Sequence, residues 1–227
     1  MATSGTTSFT MDFTEVAEEA WERAGREMRS GYDLRTARRS MNLLTIEWQN
    51  RGINMWTIDE GTVALVAGTA SYNLPADTID LMEHVLRTGS GVSQQDLVMP
   101  RISVSTYASI PNKLITGRPL QVMITRAQAI PTVTVWPVPD SAATYTLAYW
   151  RLRRIEDAGN GVDTADVNFR FLPALVAGLA YYISMKVPEL IDRMPMLKQE
   201  YNEQFGLAAE EDREKATLRL VPRVGSW

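Results

Sequence analysis

The chain has 227 residues, of which 45% are hydrophobic and 22% are charged, and its formal net charge is −4. This composition is typical of a globular protein with a buried core. The negative net charge argues against non-specific electrostatic binding of nucleic acid. The sequence has no cysteine and one histidine, His84. Disulfides, thiolate metal sites, cysteine nucleophiles and histidine-rich metal centres are therefore excluded, and we expect no metal and no cofactor.

The N-terminal residues 1–11 are small and polar and predict a flexible arm. From Asp12, with Glu15 three residues later as a capping-box partner, apolar residues recur at helical spacing until Gly31. This pattern predicts a first helix that begins at Asp12 and ends at Gly31.

A second helix follows after a short loop. Asp33 is its predicted cap, apolar residues follow along one stripe, and Gly52 ends it. Two helices joined by so short a loop are expected to be antiparallel neighbours. We therefore predict a helical hairpin over residues 12–56.

The apolar period changes to that of strands over residues 57–156, which predict a β-domain. Two short runs on either side of Gly68 predict a hairpin closed by Pro75. A short helix is predicted at 103–109. Further strands are predicted at 79–87, 96–99, 120–124, 132–136 and 144–150. Strands at this spacing favour an antiparallel sheet or a small sandwich.

Helical spacing returns over residues 157–215, which predict two helices separated at Pro188, the second with Pro195 in its first turn. Residues 216–227 form a predicted extended tail. The order of helices, strands and helices predicts an α+β fold, in which a helical bundle from the N- and C-terminal segments carries an inserted antiparallel β-domain.

The most apolar run, from Phe171 to Met185, is shorter than the about 20 residues that a membrane span needs. It also contains Pro173 and Gly178, so we interpret it as a central buried helix. The N-terminus has neither a basic region nor an apolar segment after it, and it therefore predicts no secretory signal. We expect a soluble protein with no membrane partner.

Catalytic chemistry finds little support in the residues. His84 alternates with apolar neighbours in a predicted strand, and no GxSxG motif accompanies it, so it predicts a structural histidine of the sheet. The many carboxylate pairs fall on predicted solvated faces or in loops. We predict no catalytic, cofactor-binding or metal-binding residue. The alternative, a carboxylate-dependent hydrolase acting on wall glycans, would need a deep cleft whose carboxyl groups have shifted titration.

Two arginine clusters predict ion pairs. One lies on the second helix and the other leaves the strand that ends near Trp150, where Arg151 and Arg153 share a face and Arg154 points away. Neither cluster alternates with aromatic residues as a single-strand nucleic-acid surface would. Ion pairing, between subunits or within the chain, is favoured over phosphate contact. The predicted inter-subunit contacts are Arg35, Arg38, Arg39, Arg151, Arg153, Glu210 and Glu211.

The tail alternates apolar residues with arginines and follows an acidic stretch, 200–212, that has no base. An isolated segment of this length cannot bury enough apolar area to order itself. It can order by docking on another chain, and a disordered terminus is the alternative. The predicted docking residues are Leu218, Arg219, Leu220, Val221, Arg223 and Trp227.

Three stretches, taken in this order along the chain, resemble the head-to-tail adaptor, or connector, proteins of tailed bacteriophages. The first is LLTIEWQNRG at 43–52 with Trp56 and the run from Gly68 through Tyr72 to Leu74 and Pro75. The second is GRP at 117–119, leading to WPVP at 136–139 and YTL at 145–147. The third is FLPAL at 171–175 through Tyr181, then LKQEY at 197–201 and AAEEDR at 208–213.

The resemblance implies a structural virion protein without catalysis. Such adaptors form a ring, usually of twelve copies, under the portal protein, and their C-terminal extension docks on the portal. Their β-domain side meets the tail tube or nozzle, and genomic double-stranded DNA passes through the lumen without sequence-specific binding. Such a protein is assembled in the host cytoplasm and resides at the head–tail interface. Another neck or tail component, such as a stopper or tail-completion protein, stays open as an alternative.

Overall fold

A computed structural model describes residues 3–53 and 55–212. The chain has the predicted α+β fold, with helices towards both ends and antiparallel sheets in the middle. It divides into two compact units: a helical unit, from residues up to Trp56 and from Glu156 onward, and a β unit, Thr57–Ile155. Along the described ranges, no helix is both long enough and apolar enough to span a membrane.

The helices and strands occupy the following ranges. The helices are α1 (Phe13–Ala24), α2 (Gly31–Asn50), α3 (Val104–Ala108), α4 (Leu172–Ser184) and α5 (Met194–Glu211). The strands are β1 (Ile58–Leu65), β2 (Ser71–Asn73), β3 (Thr78–Thr88), β4 (Gln95–Val98), β5 (Thr116–Gly117), β6 (Gln121–Thr125), β7 (Thr132–Trp136), β8 (Val138–Pro139) and β9 (Tyr145–Arg153). The end predicted for the last helix, near Lys215, lies outside the described residues.

The start of α1 is the predicted capping box. The Asp12 carboxylate accepts a hydrogen bond from the Glu15 amide at 2.8 Å, and the Glu15 carboxylate accepts one from the Asp12 amide at 3.0 Å. The predicted end at Gly31 was wrong, because Gly25 already ends the helix. Gly25 adopts a left-handed backbone with φ of 98° and donates to the carbonyls of Trp21 and Glu22.

The predicted N-cap of α2, Asp33, was also wrong. Ser30 is the capping residue, and its hydroxyl accepts a hydrogen bond from the Asp33 amide at 3.3 Å. The Asp33 carboxylate in turn accepts from the Ser30 amide at 3.1 Å. Asp33 thus occupies the third helical position of a capping box, where its negative charge also suits the helix N-terminus.

The core of the helical unit is built around α4. Nearly every residue of this helix is buried, and it packs against α1, α2 and α5. The apolar run that is too short for a membrane span is therefore a central buried helix, as the sequence predicts. Gly178 lets the side chains of Leu44 and Tyr201 pack directly against the backbone of α4, because an added Cβ would lie 2.8 Å from Leu44 Cδ2 and 3.0 Å from Tyr201 Cδ2.

Polar contacts connect α2, α4 and α5 beside this apolar packing. The Trp48 indole donates a hydrogen bond to the Tyr201 hydroxyl at 3.0 Å. The hydroxyls of Tyr182 and Tyr201 both donate to the Glu47 carboxylate, at 2.5 Å and 3.3 Å. Burial, reinforced by the Glu47 charge, raises the pKa of Tyr201 to about 12, so its hydroxyl keeps its proton at all physiological pH values.

The β unit contains two antiparallel sheets and one short parallel pair. The strand orders are β1-β9-β3-β4 in the four-stranded sheet and β2-β7-β6 in the three-stranded sheet, and β5 pairs with β8. Its apolar core includes the fully buried residues Leu86, Val122, Val133, Val135 and Leu147.

The predicted hairpin around Gly68 was wrong. β1 pairs with β9 and β2 pairs with β7, so the two strands leave the turn into different sheets. Hydrogen bonds of Tyr72 stabilise the turn itself. The Tyr72 hydroxyl accepts a hydrogen bond from the Val66 amide at 2.9 Å and donates one to the Thr69 carbonyl at 2.7 Å. The sequence therefore indicated the turn correctly and the strand pairing incorrectly.

Replacement of Gly178 by leucine should destabilise the protein, because the new side chain meets Leu44 and Tyr201 in a closely packed core. We expect a loss of about 1–3 kcal/mol in the free energy of unfolding, measured by denaturant titration. Gly206→Leu on α5 is the matched control, since a Cβ at Gly206 meets nothing within 4 Å. The control should be unchanged or slightly more stable, and equal midpoints for Gly178→Leu and the parent would contradict the close packing of α4.

Candidate interaction surfaces

The arginines at the end of β9 form ion pairs inside the β unit. The strand register places Arg151 opposite Asp59. The Arg151 guanidinium lies 3.3 Å from the Asp59 carboxylate and 2.6 Å from that of Asp77, and Arg153 Nε lies 3.2 Å from the same Asp59 oxygen. Arg151 and Arg153 therefore share a face, as expected of alternate strand residues.

Both arginine side chains are largely covered, with exposed fractions of 13% for Arg151 and 17% for Arg153. The hydrogen bond from Arg151, together with its charge, holds the pKa of Asp77 below its usual range despite partial burial of the carboxyl group. Of the two kinds of ion pair expected from the sequence, these are contacts within one chain. The assignment of Arg151 and Arg153 to inter-subunit contacts stays a prediction.

The arginines of α2 fall on two sides of the helix. Arg38 is half-buried, and its guanidinium carbon lies 5.5 Å from the centre of the Phe13 ring. Arg35 and Arg39 are exposed, and within the part of the chain that the structure describes neither forms an ion pair with a carboxylate. Arg38 thus contacts Phe13 within the helical unit, and Arg35 and Arg39 are exposed. The inter-subunit role of all three arginines stays a prediction.

Three large apolar residues share this exposed side of α2. Tyr32 is 63% exposed, Leu43 is 54% exposed and Ile46 is 40% exposed. Together with Arg35 and Arg39 they follow one another at intervals of three or four positions, so they form a continuous stripe, which we call the outward face of α2. Sequence reasoning missed its apolar members because it followed only the buried stripe, although the spacing of all five residues is visible in the sequence.

A basic cavity adjoins the outward face of α2. It has a volume of about 420 Å³, and Arg26, Arg39 and Lys186 line it. The Lys186 ammonium donates to the Ser40 hydroxyl at 2.7 Å. Burial and the nearby Arg39 charge lower the pKa of Lys186. The only carboxylate in the lining, Asp33, is engaged in the capping box of α2.

The predicted acidic contacts lie at the C-terminal end of α5. The Glu211 carboxylate lies 2.9 Å from the Arg170 guanidinium, and both side chains are about half exposed. Glu210 is the preceding residue of the same last turn. Since such an exposed ion pair contributes little to stability, a partner could replace it at low cost, and the inter-subunit role of Glu210 and Glu211 stays a prediction.

The N-terminal arm borders a second, apolar cavity of about 490 Å³. Phe9 and Met11 from the arm line it together with Leu172 and Val176 of α4. Phe9 itself is largely exposed. The flexibility expected of residues 1–11 stays a prediction, and the described part, 3–11, has no helix or strand.

Among the described residues, the groups with shifted pKa values include one histidine and three carboxyl groups. His84 lies buried on β3, and burial holds its pKa below the usual value, so its imidazole is neutral. The carboxyl groups of Asp33, Asp77 and Asp96 have lowered pKa values, which is the opposite of what a general acid needs. Among the described residues no group of histidine and acidic side chains is placed to hold a metal ion.

The predicted docking residues, from Leu218 to Trp227, lie outside the described residues. A match to a known protein family nevertheless includes most of these residues. The family model described as SU10 adaptor protein matches residues 11–223, and the chain belongs to this family. It is thus a phage adaptor protein, and the resemblance read from the sequence is confirmed. No curated protein matches the chain.

Replacement of Arg151 by methionine should return the pKa of Asp77 towards its ordinary value, because the hydrogen bond and the adjacent charge are lost. NMR titration of the carboxyl carbons measures this directly. We also expect a loss of about 0.5–1 kcal/mol in the free energy of unfolding at neutral pH, as is usual for partly exposed ion pairs.

The difference in the free energy of unfolding between the parent and Arg151→Met should decrease as the pH falls. A lowered pKa stabilises the fold above the unfolded-state pKa of Asp77, and the contribution disappears as the pH falls through the folded-state value. The difference between Arg151→Met and the parent should therefore shrink in acid. Arg154→Met, at the exposed neighbouring position, should leave the Asp77 titration unchanged. An unaltered Asp77 pKa in Arg151→Met would contradict the assigned network.

Proposed function

We propose that this chain is a head-to-tail adaptor that forms a ring beneath the portal protein and joins it to the tail, with the genome passing through the lumen. The observation that carries the proposal is the match of the SU10 adaptor protein family to residues 11–223, nearly the whole chain. The role is structural, and it needs no catalytic residue, metal or cofactor. The chain would act as part of the virion after assembly in the host cytoplasm.

The surfaces of the helical unit support a ring. A closed ring needs a heterologous interface, in which two unlike patches of the same chain meet. The helical unit has such unlike patches: exposed arginines on α2 and carboxylates at the end of α5. We propose that Arg35 and Arg39 contact a neighbouring subunit, and that Glu210 and Glu211 belong to a contact surface as well. Twelve copies is the number that the adaptor resemblance favours.

The net charge of −4 suits a conduit for DNA. A protein that binds the phosphate backbone releases counterions and gains affinity with every contact, which would retard a moving duplex. A weakly repelling wall lets the duplex slide. This argument supports passage of DNA without sequence-specific binding.

The C-terminal tail, residues 216–227, is the proposed attachment to the portal, and the β unit is the proposed contact with the tail tube or nozzle. The tail alternates Leu218 and Leu220 with Arg219 and ends in Trp227, a residue type enriched among interface anchors. The family match includes every proposed docking residue except Trp227. This coverage supports a role for the tail that is common to the family.

Deletion of residues 216–227 should abolish binding to purified portal protein while the far-ultraviolet circular dichroism and the unfolding midpoint stay unchanged. The apolar and basic side chains of the tail are proposed to supply the contact, and the described core of the helical unit is built from residues before 213. Co-sedimentation or surface plasmon resonance with the portal measures the effect. Deletion of residues 1–10, which precede the family match, is the control and should leave binding intact.

Unchanged portal binding by the tail-deleted chain would refute the docking role of the tail. Binding to a tail terminator or tail tube in the absence of any portal affinity would instead favour the stopper or tail-completion alternative.

A further inference from the structure

The outward face of α1 is acidic along its whole length. Glu15, Glu18 and Glu22 are exposed and follow one another at intervals of three and four positions, so they lie along one stripe of the helix. Glu15 is held by the capping box at Asp12. Within the described part of the chain, Glu18 and Glu22 form no ion pair, and they repel each other across one helical turn.

The outward face of α2 carries the complementary charges at the same spacing. Arg35 and Arg39 are also exposed and four residues apart, and neither has a carboxylate partner among the described residues. On straight helices both pairs are therefore separated by one turn, about 5–6 Å. Two helices that pack side by side at about 8–10 Å can align both pairs at once.

The packing of the helical unit keeps these two faces apart within one molecule. α1 and α2 both bury their inner sides against α4. Each outward face lies opposite the buried stripe of its own helix, and among the described residues neither Glu18 nor Glu22 forms an ion pair with Arg35 or Arg39 of the same chain. Two unlike, separated and complementary faces are what a heterologous contact between copies needs.

We propose that the outward face of α2 in one subunit binds the outward face of α1 in the next subunit, with Arg35 and Arg39 paired to Glu18 and Glu22 of a second copy of this chain. The inference rests on the proposed ring and names its lateral interface. Tyr32, Leu43 and Ile46, exposed on the same face of α2, then cover the aliphatic stems of the glutamates. These apolar side chains favour a protein partner over the phosphates of DNA.

The contact should be sensitive to salt. The ion pairs of such an interface lie near its rim, and at an ionic strength of 0.15 M the screening length is about 8 Å. Electrostatic complementarity of this kind contributes mainly to the rate of encounter and to the choice of partner. Ring formation by the full-length chain should therefore slow as salt rises, whereas the apolar part of the interface persists.

Two charge-reversed variants of the full-length chain test the interface. One is Arg35→Glu/Arg39→Glu and the other is Glu18→Arg/Glu22→Arg. Each variant places like charges against each other in every contact, so we expect the concentration needed for ring formation, alone or on purified portal, to rise at least about tenfold. Negative-stain electron microscopy and sedimentation velocity measure the ring, and the unfolding midpoint checks that each variant folds.

An equimolar mixture of the two variants is the decisive measurement. In alternating order every contact again joins arginine to glutamate, so the mixture should form rings although neither variant does so alone. The four-fold variant that carries all the substitutions should also assemble. Arg126→Glu/Lys198→Glu makes the same change in net charge as Arg35→Glu/Arg39→Glu, at other exposed positions, and should assemble like the parent.

Normal assembly of Glu18→Arg/Glu22→Arg alone would overturn the inference. So would rescue of Arg35→Glu/Arg39→Glu by Glu210→Arg/Glu211→Arg in place of the α1 substitutions, because it would assign the partner surface to α5. These results leave the proposed ring intact. Failure of the parent chain to form a ring, either alone or on the portal, would refute the ring itself.

Discussion

The burial of most of α4 is the constraint on which the rest of the structure depends. An isolated helix of this apolar composition could not stay exposed in water, and it is covered by α1 and α2 from the N-terminal segment and by α5 from the C-terminal segment. Helices from the N-terminal and C-terminal segments therefore pack together on α4. The residues between these segments form the β unit, which has an apolar core of its own.

The same constraint decides which side chains remain for partners. Because α1 and α2 each turn one stripe towards α4, the opposite stripe is left to solvent, and there the composition differs sharply between the two helices. α1 presents glutamates, whereas α2 presents arginines with Tyr32, Leu43 and Ile46.

Local signals in the sequence were the most reliable guides. The capping box at Asp12 and the strand at Thr132–Trp136 were predicted because each depends on neighbouring residues alone. The pairing of β1 with β9 was missed, since Gly68 marks a turn but carries no information on the partners of the two strands, which lie about 60 to 90 residues further along the chain. The choice of Asp33 over Ser30 was instead a local error, because both residue types favour a helix cap and the two lie three residues apart in one capping box.

The contact surfaces were only partly visible in the sequence. The arginine clusters could be found by composition, but whether an arginine faces a carboxylate of its own chain depends on the fold. Arg151 meets Asp59 and Asp77 across strands that are far apart in the sequence, and Arg38 turns towards Phe13. Only the three-dimensional arrangement separates these arginines from Arg35 and Arg39, which remain exposed on α2.

Electron cryo-microscopy of the intact virion neck tests the central claim most directly. The account predicts a closed ring of this chain between portal and tail, with the helical units in lateral contact and the duplex passing through the lumen. A reconstruction that places the chain elsewhere in the particle, or as separate copies without contact between helical units, would contradict it.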